Sequence, residues 1–312
     1  MRGSNTTILR AITFQVIGEL TLRGRARSVG LRVSGVPMFL SSAVNASETN
    51  FGTQLKAWRA QRKLSQLGLA LETGISQRHL SFLESGRAGP SQQMVTQLSE
   101  TLEVPLRARN ALLIAAGFAP YYRERPLAAR EMAPVFEAIT RMLKHHEPFP
   151  AVAVDRDFNL LLQNEAFQKM LGCFGEPAQI WAACCPDGIP NLLRLTFHPS
   201  GARRMVRNFE EVGALLLLRA YRESLARPDS ATCAFLTEIR ADKAIPAEWH
   251  TPSPHLAAHP VLPLVLGLND IELSLFTMIS TFGTPHDITT DEIRVETFFP
   301  ANPSTEAILR AL

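Results

Sequence analysis

The chain has 312 residues, 46% hydrophobic and 20% charged, with a mean hydropathy of +0.02, a balance that suits one large folded domain or two smaller ones and excludes disorder throughout. Its richest apolar run, Val261 to Leu268, is broken by Pro263 and falls far short of the roughly 18 residues a membrane-spanning helix needs, so no membrane span is predicted. The net charge of +3 divides unevenly, +4 over residues 1–48, +4 over 51–118, +2 over 119–146 and −7 from 147 onward, which points to a polyanionic partner for the first part.

Residues 1–48 hold six arginines and two acids, show no sustained period and are rich in Gly, Ser and Thr. They are expected to form a disordered basic leader that the folded protein can lose. Cys173, Cys184, Cys185 and Cys233 are too few for a disulfide scaffold, and the adjacent pair cannot readily bridge, so a cytoplasmic setting is expected.

From Phe51 the period becomes helical. Phe51, Leu55 and Trp58 fall on one face, with Lys56, Arg59, Arg62 and Lys63 on the other. Ser65 is an N-cap candidate for a helix from Gln66 to Thr73, Gly74 supplies a position where positive φ is cheap, and Ser76 caps a further helix to Glu84. After Gly86, Gly89 and Pro90, the stripe Met94, Val95, Leu98 and Leu102 predicts a fourth helix. Pro105 starts a fifth, which Gly117 stops. Five short helices predict one all-α domain over 49–118.

Residues 119–146 read as a connecting segment, helical from about Ala128 to Lys144. Beyond it, Ala151 to Val154 and Leu160 to Gln163 flank the turn composition Asp155-Arg-Asp-Phe-Asn159 and predict a hairpin. Asn164 caps a short helix to Leu171. Helical patterns follow at about 190–197, 203–226 and 230–241, then a loop marked by Pro246, Pro252, Pro254 and Pro260. Val261 to Leu268, a turn at Asn269-Asp270 and Ile271 to Phe282 predict a second hairpin, with a further strand from Ile293 to Phe299. The domain over 147–312 is therefore a mixed one with an antiparallel sheet.

The sharpest motif is Ser65-Gln66, Ala70, Gly74-Ile75-Ser76, Leu80-Ser81 and Leu83-Glu84-Ser85-Gly86-Arg87. Two closely crossing helices need a small residue at the contact, a Gly at the turn and an apolar residue inward on the second helix, and Ala70, Gly74 and Leu80 stand at that spacing. Gln pairs bidentately with adenine and Arg with guanine, while Gln66 and Arg87 are placed to grip phosphates. The arrangement over 51–116 resembles the Cro/phage-repressor and XRE-type domains. That likeness implies double-stranded DNA as partner and a recognition helix from Ser76 to Glu84, with Gln77, Arg78 and Ser81 turned toward base edges and His79 close to that face.

A second set of motifs occurs in one order: Ala119-Pro-Tyr-Tyr-Arg-Glu-Arg-Pro126, His146-Glu-Pro-Phe-Pro-Ala151, Asp155-Arg-Asp-Phe-Asn159, Asn191-Leu-Leu-Arg-Leu195 with His198-Pro199, Thr281-Phe-Gly-Thr-Pro285 and Glu296-Thr-Phe-Phe-Pro300. Together they resemble the ligand-binding half of the MmyB-like transcription regulators, over about 119–312. The resemblance implies a PAS-like fold with a pocket for an apolar, fatty-acid-like molecule. The implied fold class is α+β: a five-helix DNA-binding domain followed by a PAS-like domain.

In that half, Phe167, Met170, Leu192, Leu195, Leu264, Leu266, Leu275, Ile279 and Phe282 are apolar bulk that fills a core or lines a cavity, alternatives that the residues alone leave open. Arg194 and His198, four apart, fall on one helical face and could receive a carboxylate. His250, His255 and His259 have a ligand-like count but stand in a Pro-rich loop without carboxylates or Cys, and His145-His146 reads as a solvated helix end. No metal or cofactor is expected. Gly-rich phosphate loops, Gly-x-Ser-x-Gly and His-Glu-x-x-His are absent. The expectation is a dimeric, effector-responsive DNA-binding regulator and not an enzyme. The rivals are an enzyme on a lipid-like substrate with a DNA-binding appendage, and a helix-turn-helix used only for protein contacts.

Overall fold

The computed structural model describes residues 50–224, 230–246, 249, 261–268 and 271–312. The leader, His250, His255, His259 and the turn at Asn269-Asp270 lie outside the described residues.

The chain opens with five helices: α1 (Phe51–Gln61), α2 (Gln66–Thr73), α3 (Gln77–Glu84), α4 (Gln92–Thr101) and α5 (Leu106–Ala115). Local chemistry sets their limits. Asn50, Ser65, Ser76 and Ser91 accept hydrogen bonds from the backbone N–H three residues on, at 2.9–3.2 Å, at the starts of α1 to α4. Gly74 ends α2 in the left-handed region, φ 68°. Leu55, Leu69, Leu80, Leu83, Leu98 and Leu112 are buried together with Ala70 in one core, whose burial drives the bundle. At Gly52 the packing leaves no room for a side chain: a Cβ there would stand 2.4 Å from the carbonyl oxygen of Leu83 and 2.6 Å from that of Glu84. That glycine lets α1 cross the end of α3.

A 3-10 turn, Arg130–Met132, leads into α6 (Ala133–His145). Pro134 sits in the first turn of α6, where its missing N–H costs nothing. Then follow β1 (Ala151–Val154), β2 (Leu160–Gln163), α7 (Glu165–Gly172), α8 (Pro177–Cys184), α9 (Leu192–Phe197), a 3-10 turn at Ala202–Arg204, α10 (Phe209–Ser224), α11 (Ala231–Ala241), β3 (Leu264–Leu268), β4 (Ile271–Ser280), α12 (Ile288–Glu292), β5 (Arg294–Pro300) and α13 (Pro303–Ala311). The five strands form one antiparallel sheet in the order β2-β1-β5-β4-β3.

Alternation assigns the two faces of the sheet. Val152, Val154, Leu266, Thr277, Ile279, Glu296 and Phe298 share one face through their registers. Ala151, Ala153 and Val295 share the other, which α6 covers with Ile139 and Leu143. Two of the sequence motifs meet at the β1–β2 turn. Asp155 Oδ1 accepts from the N–H groups of Asp157 and Asn159 at 2.8 and 2.9 Å, which holds Phe158 at φ 62°. Asn191 caps α9 and donates to Asp157 O at 2.7 Å and Asn159 Oδ1 at 2.9 Å.

Several elements differ from the sequence reading. The helical pattern at 203–226 is interrupted, because residues 205–208 pair with the outer edge of β3: Arg207 N donates to Val265 O and Gly267 N to Met205 O, both at 2.7 Å. That pairing covers an edge strand. Helices α8, α12 and α13 were not expected; α8 and α13 carry a proline in the first turn, and Asp287 and Asn302 cap α12 and α13. His146 is not a solvated helix end like the exposed His145, since its Nε2 lies 2.9 Å from Phe298 O and its ring packs on Phe299.

Gly52→Ala should destabilise the bundle by about 1–3 kcal/mol through overpacking against backbone that cannot yield. Thermal unfolding of the full chain is the measurement, and an unchanged melting temperature would show that α1 shifts freely over α3.

Candidate functional site

Helix α3 presents its exposed side with Gln77 and Arg78, exposed, and His79 and Ser81, half-buried. Ser76 uses its hydroxyl to accept from His79 N at 3.2 Å. Arg78 and Arg87 lie 5.4 and 6.0 Å from the ring of Phe82, within cation–π range, so one aromatic steadies both cations at the surface. The single acid of α3, Glu84, is turned inward. It accepts from Arg59 Nε at 2.5 Å and Nη2 at 2.9 Å, and from Gln66 Nε2 at 2.8 Å. One side chain thereby ties α1, α2 and α3, and α3 places no carboxylate of its own on its exposed side. Burial opposes the charged form of Glu84, but the bonds from Arg59 and Gln66 prevail and hold its pKa below the ordinary value.

In the second half, a cavity of about 350 Å3 lies between the sheet and helices α7, α9 and α10, within the span of small-molecule pockets. Phe167, Met170, Leu192, Leu195, Leu264, Leu266 and Ile279 line it. Leu215 and Ile279, 37% and 46% exposed, mark its mouth. The charged lining residues are Arg219 of α10 and Glu296 of β5, joined at 2.6 Å. Arg219 also donates to Glu223 at 3.0 Å and lies 4.9 Å above the Phe158 ring.

The two halves meet at a polar joint. Leu106 N, in the first turn of α5, donates to Asp291 Oδ2 at 3.2 Å, and Arg107 forks onto Glu292 at 2.7 and 2.9 Å and onto Glu124. Asp291 and Glu292 belong to α12, which runs directly into β5.

A family model described as helix-turn-helix matches residues 55–108, and one described as MmyB-like transcription regulator ligand binding domain matches residues 135–312. The chain belongs to the MmyB-like transcription regulators. The HTH-type transcriptional repressor RghR of Bacillus subtilis (strain 168) is 34% identical over 122 residues, 39% of this chain and 79% of that protein. A solved structure of an RNA-binding Light-Oxygen-Voltage receptor covers 90% of this chain and 67% of its own, at 12% identity and a TM-score of 0.24, a score that carries no argument. This MmyB-like regulator is thus a DNA-binding transcriptional regulator with a ligand-binding domain, not an enzyme. None of its described helices is long and apolar enough to cross a membrane.

The structure relocates several residues picked from the sequence. Arg194 does not line the cavity; its guanidinium lies 5.7 Å from the Phe235 ring. His198 ends α9, and its Nδ1 accepts from Ser200 N at 3.1 Å. Helix α9 is only six residues long and turns its apolar side to the cavity, which sends both polar groups elsewhere. Leu275 is fully buried in packed core, and Phe282 packs with Ile139 and Val295 on the far face of the sheet. Gln66 gives one amide hydrogen to Glu84, so only its second is free for a phosphate. Sequence reasoning missed Arg219, Glu296 and Phe158 as lining residues. The signal available was the odd pairing of an Arg with the apolar run Ala214 to Leu218.

A carboxylate with a lowered pKa contributes stability that is complete above its ordinary value, here 4.5, and is lost as pH falls through the lowered one. The melting temperature of the regulator should therefore drop on acidification below that value, and Glu84→Gln should flatten this part of the profile. An identical slope in both proteins would remove the ion pair from the account. Breaking the pair by Glu84→Ala should cost about 3–5 kcal/mol.

Proposed function

We propose that this regulator is a cytoplasmic homodimer that reads a two-fold DNA site through α3 and senses a long-chain, fatty-acid-like molecule in the cavity between the sheet and α7, α9 and α10. The observation that carries this reading is the continuity of α12 and β5. The carboxylate that caps α5 of the bundle and the Glu296 that lines the cavity are five residues apart on one run of chain. The sheet order β2-β1-β5-β4-β3, with α7, α9 and α10 over one face and α6 over the other, supports a PAS-like description of residues 147–312, with 49–118 as the reading head, 119–146 as connector and 1–48 as a dispensable leader. One such head contacts few base pairs, and a two-fold pair reaches half-sites one helical turn apart. The effector acts by binding the two geometries of the heads unequally.

In this reading Gln77, Arg78 and Ser81 face base edges with His79 beside them, and Ser65, Gln66, Ser76 and Arg87 lie near phosphates. Arg78→Ala should cost about 1–3 kcal/mol at some operator variants and much less at others, whereas Arg87→Ala should weaken all of them alike. Affinities across a panel of base-substituted sites decide the point, and a uniform loss for both variants counts against the assignment.

Leu266 points into the cavity and is buried. Full-length protein purified without detergent should release a long-chain molecule on denaturation, and a bound chain should raise the melting temperature, by about 2.7 kcal/mol of stability at 100 times its Kd. Leu266→Trp should abolish that rise while the unliganded protein still folds cooperatively. If no chain of about ten to eighteen carbons, matched to an ordinary pocket volume, alters the melting of the wild type, the cavity is not an effector site.

A further inference from the structure

We propose that Phe82 is a positioning residue for DNA reading: its ring, on the reading side of α3, holds the guanidinium groups of Arg78 and Arg87 ready for the duplex and so sets how well the head discriminates between sequences. The inference rests on the reading of α3 as the helix that faces base edges and names the residue that orders its cations.

Phe82 stands where the core does not ask for an aromatic. Arg78, Ser81, Phe82 and Ser85 follow the i, i+3, i+4, i+7 spacing of one helical face, while Leu80 and Leu83 turn the other way and are fully buried. The ring is not part of the bundle core, and it is nevertheless only half-exposed. Two cations lie against it, Arg78 at 5.4 Å and Arg87 at 6.0 Å from its centroid. Backbone bonds fix the second of them: Phe82 O accepts from Arg87 N at 2.9 Å and from Ala88 N at 3.2 Å. The turn after α3 thereby folds back onto the residue whose ring its arginine meets.

The other four arginines of the bundle are engaged within the protein. Arg59 holds Glu84, Arg62 donates to the carbonyl oxygens of Leu102 and Glu103, Arg107 forks onto Glu292 and Glu124, and Arg109 donates to Val104 O. Among the described residues, Arg78 and Arg87 have no side-chain hydrogen bond or ion pair, so their donors are all open to a partner. A guanidinium stacks through its face and donates through its edge. One that rests on an aromatic ring therefore keeps its fork for the O6 and N7 of guanine or for a phosphate. Ordering a long side chain at the moment of binding costs affinity, and the ring does that ordering before the duplex arrives. A leucine at 82 keeps the apolar bulk but has no π face to hold a cation.

The probe is a duplex of about 30 base pairs, long enough for two half-sites one turn apart, selected by the full-length wild type from a randomised pool, with its single-base variants and an unrelated duplex of equal length beside it. An exposed cation–π contact corresponds to about a two- to fivefold change in an equilibrium constant. Phe82→Leu should therefore weaken the selected duplex by about 4- to 25-fold per head, through both arginines, and the unrelated duplex by about two- to fivefold, through Arg87 alone. Phe82→Tyr keeps the ring and should stay within about twofold of the wild type on both duplexes. Phe82→Met repeats the test if the leucine variant does not fold. In the Phe82→Leu background, Arg78→Ala should cost less discrimination than it does in the wild type. A folded Phe82→Leu or Phe82→Met protein that binds both duplexes as the wild type does overturns this inference alone. So does a tyrosine variant that falls as far as the leucine one, or an Arg78→Ala loss of equal size in both backgrounds, which makes Phe82 a separate contact. If Arg78→Ala leaves discrimination intact in the wild type, the reading of α3 fails and this inference with it.

Discussion

Strand β5 carries two opposed demands because a strand alternates faces with every residue. Val295 and Thr297 turn to the side that α6 covers, while Arg294, Glu296 and Phe298 turn to the cavity side. The strand sits centrally, paired with β1 and β4, so its register cannot slip by one residue without exchanging apolar and charged groups between the two faces. The polar end of the cavity and the attachment of the reading head both hang from that register. Glu296 stands opposite Val152 and Ile279, and the turn of helix just before the strand delivers Asp291 to Leu106 and Glu292 to Arg107.

Charged groups in such a place are poor stabilisers, since taking Arg and Glu out of water costs about as much as their attraction returns. What Arg219, Glu223 and Glu296 provide is specificity of arrangement: Arg219 bridges α10 to β5 and roofs the Phe158 ring. Phe158 is held at positive φ by the Asp155 turn, an unfavourable backbone state for a bulky residue. Its ring is buried under the guanidinium, so the turn chemistry and the salt bridge hold the same side chain from two directions. The bundle uses one buried acid in the same manner, with Glu84 as the tie among α1, α2 and α3.

Features of short range were legible in the sequence. Ser65, Ser76 and Asn164 act as caps within three residues of themselves, and Gly74 takes the left-handed turn its position called for. The apolar runs on either side of Asp155-Arg-Asp-Phe-Asn159 form β1 and β2. What stayed hidden depends on partners far along the chain. Arg59 looked like one more cation of a solvated face, and only the folded bundle brings Glu84 to it, 25 residues on. Arg219 and Glu296 are 77 residues apart, and the apolar run before Arg219 is a local sign of burial that does not name Glu296 as its partner. Arg194 and His198 were placed by helical spacing alone, which orders residues on a face but does not say what the face looks at.

The joint between reading head and ligand domain is built from hydrogen bonds and ion pairs, with Asp291 on Leu106 N, Glu292 and Glu124 on Arg107, and Asp287 on Arg125. An apolar joint of equal size would resist separation, because exposing it costs free energy in proportion to area. A polar joint exchanges its bonds for bonds to water at small net cost, and contacts of this kind leave relative domain motion as the default. That suits an effector-driven switch, because a ligand can shift an equilibrium only by the difference in its affinity for the two states. Two orientations of the head that differ by little would be within reach of a small molecule, and the shared α12 and β5 place the polar end of the cavity next to the bonds of the joint.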